Sequence, residues 1–375
     1  MRRSFVLGCS LALSGTILVS GCATFPPDQV ASCPPRVSAI EIDPATGLAS
    51  TDLSVLTYNV EGLPWPARRS RSARLAEIGR QLAEMREAGI SPDVVLLQEV
   101  FTTKAARIGE IAGYETRVRG PGRRAQRPPT SESADIELTG RRKLLKGERL
   151  GRLFSSGLYV LTDLPISDAA GQPFRRRECA GFDCLANKGL QHVRLQVPGV
   201  PQPIDLFNTH LNSGNASRVA QERSLLAHNL QVEETARFIL QQRHPGNPMI
   251  MGGDFNMRGD DDRFARFAEM VPYTLVHQYC SDPAPGCDVR LSWDGDAPWM
   301  DTQDLQSFQD GNIVTVRPLR VEGMFDEPWL GAPLADHDGL LVTYRLSWPA
   351  SVTEMSGIAG PPLSVISLPV GCRET

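Results

Sequence analysis

Several short apolar runs in this sequence end in polar side chains, and four of them form the same strand-helix-strand arrangement twice. Leu53–Val60 is predicted to be a strand, an amphipathic segment follows at Arg71–Gly89, and Val94–Leu97 is a second apolar run. The arrangement recurs from Ile204–Phe207 through a second helical stripe to Met249–Met257. This alternation predicts an α/β fold. The polar strand ends predict a site at one edge of the sheets.

Other parts of the chain carry weaker signals of secondary structure. Further strands are expected at Ser156–Leu161, Gln191–Gln196, Ile313–Val316 and Gly339–Leu346. The second helix should bury a stripe made of Leu225, Val232, Ala236 and Ile239. Residues 120–151 lose all periodicity and are expected to form a long, partly mobile loop.

Charge gives no general reason to expect a nucleic-acid binder, because the formal net charge is −4. The distribution is uneven, however. Residues 117–152 contain eleven Lys or Arg against four Asp or Glu, which defines a basic loop. Such a loop, with Arg175–Arg177, could contact anionic lipid or a nucleic-acid backbone, or it could simply be solvated.

The N-terminus predicts export. Arg2 and Arg3 precede an apolar run from Phe5 to Val19, which is short for a membrane span and typical of a signal peptide. The run ends in Val-Ser-Gly-Cys, which resembles a bacterial lipobox and implies cleavage before Cys22 and acylation there. We therefore expect a lipoprotein signal peptide at 1–21, a tether at 22–50, a catalytic domain at 51–348 and a tail at 349–375. Ala23 favours sorting to the outer membrane of a Gram-negative cell.

Six cysteines remain in the mature chain, and an even number in an exported protein predicts disulfides. Cys179 with Cys184, and Cys280 with Cys287, would close small loops, which leaves Cys33 to pair with Cys372. Fifteen pairings are formally open. Zinc is a competing interpretation, but neither close pair has Cys-x-x-Cys spacing and no histidine cluster accompanies them.

The polar strand ends form a set with one chemistry. Its members are Asn59, Glu99, His210, Asn212, Asp254, Asn256, Asp336 and His337. Carboxylate and amide oxygens are the ligands that Mg²⁺ prefers, and a histidine can take a proton from water. We interpret the set as a metal-assisted phosphodiesterase site. Because residues two apart on a strand face the same side, Asp254 and Asn256 are expected to converge while Phe255 enters the core.

The ordered motifs TYNV, LLQEV, NTHL, GGDFN and ADHD resemble those of the endonuclease/exonuclease/phosphatase superfamily, over roughly Leu53–Leu346. The resemblance implies a four-layer α/β/β/α sandwich of the DNase I type, with two packed mixed sheets flanked by helices, and Mg²⁺-dependent cleavage of phosphoesters. Ca²⁺ or Mn²⁺ could substitute.

By that resemblance each motif has a role. Glu99 is the principal metal ligand, with Asn59 and Asp336 nearby, and His337 is the general base. Asp254 and Asn256 position the attacking water and stabilise the transition state, while His210 binds the phosphate. Asp304 fits the place of a carboxylate that orients His337, although Asp294, Asp296 and Asp301 compete for that place.

The Asp183–Gly189 segment resembles the neutral and bacterial sphingomyelinase branch of the superfamily. Lys188 is then expected to meet a lipid phosphate, or to be a solvated lysine at the start of a strand. Asn212 would contact the headgroup, although many sphingomyelinases carry glutamine there.

The leading hypothesis is an exported, lipid-anchored and monomeric phosphodiesterase that cleaves sphingomyelin or a related phospholipid at a membrane surface, in the manner of a phospholipase C. An extracytoplasmic nuclease that grips DNA with the basic loop is the second hypothesis. A non-catalytic surface lipoprotein is the third.

Overall fold

Two mixed β-sheets packed face to face form the centre of the protein in the computed structural model, which describes residue 25 and residues 28–29, 39–127, 142–283, 286–290 and 303–355. Helices cover the outer face of each sheet. The expected four-layer α/β/β/α sandwich is confirmed.

In chain order the strands are β1 (Glu41–Asp43), β2 (Leu48–Asn59), β3 (Val94–Gln98), β4 (Thr116–Arg119), β5 (Tyr159–Thr162), β6 (Ile166–Pro173), β7 (Gly189–Leu195), β8 (Ile204–His210), β9 (Met249–Asp254), β10 (Thr274–Leu275), β11 (Asp288–Arg290), β12 (Asp304–Gln309), β13 (Thr315–Met324) and β14 (Gly339–Pro349). The first sheet has the order β11-β13-β14-β2-β3-β5-β4, with β1 paired to β2. The second sheet has the order β10-β12-β9-β8-β7-β6.

The helices are α1 (Arg71–Glu87), α2 (Thr103–Ala106), α3 (Ile108–Ile111), α4 (Gln221–Gln242), α5 (Asp261–Met270), α6 (Val276–Ser281) and α7 (Ala350–Met355). Short 3₁₀ turns lie at Leu144–Lys146, Gly181–Leu185 and Asn215–Ser217. Helix α1 begins at the residue predicted for it and ends two residues before Gly89, the predicted end.

Three apolar clusters hold the layers together. The largest lies between the sheets, and its members include Val55, Leu96 and Ile250. Helices α1 to α3 bury their apolar faces against the outside of the first sheet, and α4 and α5 do so against the second. Strand β3 is apolar on both faces because a layer covers each of them.

Strand register brings the polar ends to one edge. Strands β2 and β3 are parallel, and so are β8 and β9, where His210 lies opposite Asp254. Strand β12 is antiparallel to β9, so its first residue, Asp304, also lies opposite Asp254. Strand β14 runs antiparallel to β2, which brings its first residue, Gly339, to the same edge.

A layer of buried amides lies between this edge and the apolar core. Gln98 Nε2 donates to Asn208 Oδ1 at 2.9 Å, which links the first sheet to the second. Gln306 Nε2 donates across the same gap to the carbonyl oxygens of Val55 and Leu340 at 2.9 and 3.0 Å. Because buried polar groups are costly when unpaired, these bonds favour one alignment of the two sheets.

Several sequence expectations need correction. Strand β1 and the start of β2 lie in the segment assigned to a tether, and β14 extends to Pro349. The strand expected at Ile313–Val316 runs over Thr315–Met324 instead. Strand β6 was not anticipated, because its small and polar residues give it no apolar signal.

Some expectations concern residues that lie outside the described ranges. These are the signal peptide, Cys22, Cys33 and Cys372, residues 128–141 of the basic loop, residues 356–375 of the tail, and the three aspartates that compete with Asp304, namely Asp294, Asp296 and Asp301. Both close disulfides, Cys179–Cys184 and Cys280–Cys287, are confirmed. Within the described ranges, no helix combines the length and apolarity that a membrane crossing needs.

We predict that Gly253→Ala destabilises the protein. Gly253 has φ +155°, and a Cβ there would lie 2.2 Å from the backbone oxygen of Thr209 on β8. Forcing the parallel β8–β9 pair apart should lower the free energy of unfolding by about 2 kcal/mol or more. Denaturant unfolding measures this difference.

Gly122→Ala is the matched control, because no atom lies within 4 Å of its added Cβ and its φ is ordinary. Its stability should stay within about 0.5 kcal/mol of the parent. Equal effects of the two changes would contradict the packing argument.

Candidate active site

The buried carboxylate of Asp254 lies at the centre of the polar edge. Its Oδ2 accepts from Asn59 Nδ2 at 3.0 Å and lies 3.2 Å from His210 Nε2. Its Oδ1 accepts from the backbone N–H of Asn256 at 3.1 Å. Burial opposes ionisation, but the attraction and hydrogen bond of His210 outweigh it and hold the pKa of Asp254 well below its usual range.

Asn256 reaches this centre for a different reason from the one expected. Strand β9 ends at Asp254, and Asn256 has a left-handed backbone with φ +53°. Strand alternation therefore does not explain how Asn256 reaches the site, in contrast to the expectation. Phe255 does enter the core, where its ring packs at a tilt against that of Phe267, with 4.8 Å between the centroids.

His337 and Asp304 form a second buried pair. His337 Nδ1 donates to Asp304 Oδ2, so Nε2 is the nitrogen that can exchange a proton with a bound molecule. Burial opposes the imidazolium, but attraction to Asp304, then to Asp254 and Asp336, outweighs it and raises the pKa of His337. Asp304 therefore stabilises the positive charge that the ring carries when Nε2 holds a proton.

Glu99 follows β3 with a left-handed backbone, φ +58°. Burial raises the pKa of its carboxyl, electrostatic interactions with His210 and Lys188 lower it, and Asp336 and Asp254 raise it further. Glu99 and His337 therefore have Asp254 and Asp336 as charged neighbours in common. Among the described residues, the Glu99 carboxylate has no hydrogen-bond or ion-pair partner.

Asp336 lies at the exposed rim, where its Oδ2 accepts from Arg68 Nη2 at 2.9 Å. Arg68 also pairs with Glu61, whose backbone N–H donates to Asn59 Oδ1 at 3.1 Å. The loop after β2 therefore connects the candidate metal ligands Asn59 and Asp336. No motif in the sequence pointed to Glu61 or Arg68.

Lys188 is an internal amine and not an exposed lysine. Its Nζ contacts Asp183 Oδ1, lies 2.8 Å from His210 Nε2 and donates to the carbonyl oxygen of Leu211 at 3.0 Å. Asp183 and the carbonyl oxygen of Leu211 accept two of its three N–H groups, and His210 Nε2 lies within contact distance of the ammonium. Lys188 therefore positions His210 and is not available to a headgroup, in contrast to the expectation.

Asn212 does not join the site. Its side chain is fully buried, Oδ1 accepts from the backbone N–H of Ala180 at 2.9 Å, and Nδ2 donates to the carbonyl oxygen of Ser213 at 2.9 Å. The amide is occupied in holding two loops together. The expected headgroup contact is thus wrong for geometric reasons, while the other strand-end residues do meet at one edge.

A divalent cation fits this donor set through few protein ligands. Within the described residues, no group of three or more His, Cys, Asp or Glu is arranged to hold a metal by itself. Mg²⁺ is commonly bound by one or two carboxylates together with water and substrate phosphate. The unpaired Glu99 carboxylate matches that mode, because Glu99 follows the residue paired with Asn59 and has Asp336 as a charged neighbour.

Replacement of Lys188 tests whether it has an internal role. Lys188→Met should lower the free energy of unfolding by about 3 kcal/mol or more, because Asp183 is left as a buried charge without its cation. Chemical denaturation measures this loss. Lys104→Met, on the surface of α2, should change stability by less than about 0.5 kcal/mol. If Lys188→Met were as stable as the parent but had a raised KM for the substrate, Lys188 would be assigned to the headgroup contact instead.

His228 on α4, whose ring bonds to a residue beside the site, makes the stability of the fold depend on pH. Its Nε2 bonds the carbonyl oxygen of Phe255 at 2.9 Å, and burial, then the charge of Arg263, lowers its pKa to about 4. The unfolded chain binds this proton below about pH 6.5, but the folded chain binds it only near pH 4. Stability from this group is complete above pH 6.5 and falls as the pH drops through that window, by about 3 kcal/mol in all.

The pH dependence of unfolding should therefore differ in His228→Gln, whose amide can still donate to Phe255. Unfolding of both proteins between pH 7 and pH 4 measures the difference. Parallel curves for the two proteins would contradict the assignment.

Comparison with known proteins agrees with this geometry. The Endonuclease/Exonuclease/phosphatase family matches residues 56–308, which include every candidate site residue except Asp336 and His337. A sphingomyelinase of Mycobacterium tuberculosis is 28% identical over 315 residues, which are 80% of this chain and 54% of the relative. The chain thus spans about half the length of that relative.

Two solved structures share the fold. A mutant beta toxin from Staphylococcus aureus with bound magnesium ions gives a TM-score of 0.55 at 16% identity, covering 78% of this chain and 99% of that one. D. rerio TDP2 in complex with a single-strand DNA product gives 0.52 at 16% identity, covering 78% and 98%. With the family match extending over more than half of its length, the chain belongs to the endonuclease/exonuclease/phosphatase family.

Proposed function

We propose that the protein is a divalent-metal-dependent phosphodiesterase that cleaves sphingomyelin or a related phospholipid into a phosphorylated headgroup and a lipid alcohol. One observation carries the proposal. Two charged pairs, Asp254 with His210 and Asp304 with His337, lie at the same edge as the strand end that carries the unpaired carboxylate of Glu99. This constellation can hold a phosphodiester, a metal and a water molecule together.

The metal would be held by Glu99, with Asn59 and Asp336 beside it. A bound Mg²⁺ would neutralise charge that develops on the phosphoryl oxygens. Ca²⁺ and Mn²⁺ accept the same oxygen donors and are the other candidates. Direct calorimetric titration of Mg²⁺ into the protein and into Glu99→Gln tests this ligand set without turnover.

The proton would be handled by His337. A water molecule attacks phosphorus and its proton passes to His337 Nε2. The bond from phosphorus to the lipid oxygen breaks, and that oxygen takes a proton from solvent and leaves as the alcohol. Asp304 holds the imidazole in the required tautomer. Asp254 and Asn256 would orient the reacting groups, and Lys188 would keep His210 fixed beside the phosphate.

A lipid substrate is favoured over DNA by the sequence relatives. The matched relative is named a sphingomyelinase, although this chain covers only half of it. The net charge of −4 also gives little general attraction to a polyanion. A nuclease activity is the second candidate, because the TDP2 structure of the same fold holds a single-strand DNA product.

We further propose that the protein is exported, acylated at Cys22 and attached to the outer membrane as a monomer, with 51–348 as its catalytic domain. The lipobox-like sequence before Cys22 supports anchoring. Loss of palmitate labelling in Cys22→Ser would support acylation at that residue, and retained labelling would oppose it.

The substrate and the catalytic residues can be tested together. With Mg²⁺ the parent should release phosphocholine from sphingomyelin vesicles, and EDTA should stop the reaction. Glu99→Ala and His337→Ala should each lower turnover by about a thousandfold or more, since each removes transition-state stabilisation or proton transfer. Thermal unfolding of each variant establishes that it is folded.

Glu87→Ala, at the exposed end of α1, is the control and should keep full turnover. Nicking of supercoiled plasmid without lipid cleavage would favour the nuclease instead. Absence of both activities in a folded, metal-loaded parent would favour a binding protein.

A further inference from the structure

Five large apolar side chains are exposed together on one part of the surface, and we call them the apolar ridge. Its members and their exposed fractions are Leu144 (51%), Leu145 (90%), Leu150 (57%), Leu153 (48%) and Phe182 (40%). Fifteen large apolar side chains are exposed among the described residues, so a third of them lie here. Such clustering marks an interaction surface, whereas scattered apolar residues do not.

The two segments that carry the ridge are in contact with each other. The backbone N–H of Leu153 donates to the carbonyl oxygen of Leu185 at 2.6 Å, and a Cβ on Gly147 would lie 2.9 Å from the Leu185 side chain. Lys146 Nζ lies 5.9 Å from the ring centroid of Phe182. Residues 142–153 therefore pack directly on the 3₁₀ turn that carries Phe182.

Buried polar contacts hold this surface in place. Glu148 is buried, and its Oε1 accepts from Arg223 Nε at 2.7 Å and from the backbone N–H of Gly181 at 3.0 Å. Arg142 Nε donates to the carbonyl oxygen of Glu148 at 2.9 Å. The Cys179–Cys184 disulfide closes the neighbouring turn. The ridge is thus presented by a fixed scaffold.

Basic side chains surround the ridge. Lys143, Arg149 and Arg176 are exposed, and within the described part of the chain none of them forms an ion pair with a carboxylate. Glu148 is the one acidic residue of 142–153, and its charge is buried against Arg223. Counted over the described residues, the surface around the ridge is therefore positively charged, on a protein whose net charge is −4.

We propose that the apolar ridge and its basic border dock onto an anionic lipid bilayer. Exposed leucines can enter the interface between headgroups and acyl chains, while lysine and arginine meet anionic headgroups. A nucleic acid would use the charges but would gain little from four leucines. A symmetric contact with a second copy would bring the same positive charges together.

The apolar ridge is linked to the candidate site through two adjacent residues, Phe182 and Asp183. Phe182 points outward, whereas Asp183 contacts Lys188 and accepts from the backbone N–H of Ser213 at 2.9 Å. Lys188 in turn contacts His210. A bilayer at the ridge would therefore lie next to the site. This consequence rests on the proposed function, but the docking itself does not.

Binding to vesicles tests the proposal without turnover. All proteins should carry Cys22→Ser, so that no acyl chain contributes, and should be mixed with vesicles of phosphatidylcholine alone or of phosphatidylcholine with phosphatidylglycerol. We expect clear sedimentation with the anionic vesicles. Leu145→Ser combined with Leu150→Ser should weaken binding about tenfold or more. Lys143→Gln and Arg149→Gln should each weaken it roughly fivefold, and only on anionic vesicles.

Leu240→Ser is the matched control, because Leu240 is 78% exposed and lies at the opposite end of α4 from the site. It should bind as the parent does. Hydrolysis of a water-soluble diester, bis(p-nitrophenyl) phosphate, should be the same in parent and ridge variant. That comparison separates a docking defect from a failure of the proposed catalysis.

Three results would overturn the proposal. The first is equal vesicle binding by the parent and the Leu145→Ser, Leu150→Ser variant. The second is a DNA oligonucleotide that displaces the parent from vesicles. The same oligonucleotide would have to bind the ridge variant as weakly as the vesicles bind it. The third is a dimer of the parent in light scattering that becomes a monomer in the ridge variant.

Discussion

The hydrogen bond from Asn59 to the buried Asp254 carboxylate is the interaction on which the candidate site depends. Asn59 ends a strand of the first sheet, and Asp254 ends a strand of the second. The bond therefore closes the edge of the sandwich and at the same time fixes the central anion. Because a buried carboxylate is costly unless it is paired, the surrounding donors must keep their places for the fold to remain stable.

Beneath this bond, the buried amides of Gln98, Asn208 and Gln306 also link the two sheets through hydrogen bonds. Apolar side chains between sheets tolerate sliding, since dispersion and the hydrophobic effect have little directionality. Directed hydrogen bonds do not tolerate it. Each amide lies one or two residues along its strand from Glu99, His210 or Asp304, so the alignment that they impose is transmitted to the site over a very short distance.

The disulfide-closed turn at Cys179–Cys184 connects two surfaces with different tasks. Its outward residue, Phe182, belongs to the apolar ridge, while Asp183 holds the ammonium of Lys188 against His210. A rigid turn suits both requirements, because an exposed apolar residue needs a fixed orientation and a buried ion pair needs fixed geometry. The basic residues that looked like an unstructured loop in the sequence are, where described, part of this scaffold.

Much of the site was determined by the sequence itself. Apolar runs that end in Asn59, Glu99, His210 and Asp254 specify strands and place polar groups at their ends, because strand and helix periodicities are local properties of the chain. The two close cysteine pairs were likewise readable from spacing, and the order of the motifs identified the family and the four-layer fold.

Only the tertiary structure decided which of these groups face one another. Asn212 and Lys188 carry groups that could bind a substrate, but both are buried. Asn212 contacts Ala180 and Lys188 contacts Asp183, so each positions other parts of the protein. Arg68 carries no sequence signal and reaches Asp336 from 268 residues away. Asn256 enters the site through a left-handed turn that strand periodicity does not anticipate. Pairing, burial and charge neighbourhood depend on contacts between distant segments, and local sequence patterns do not specify those contacts.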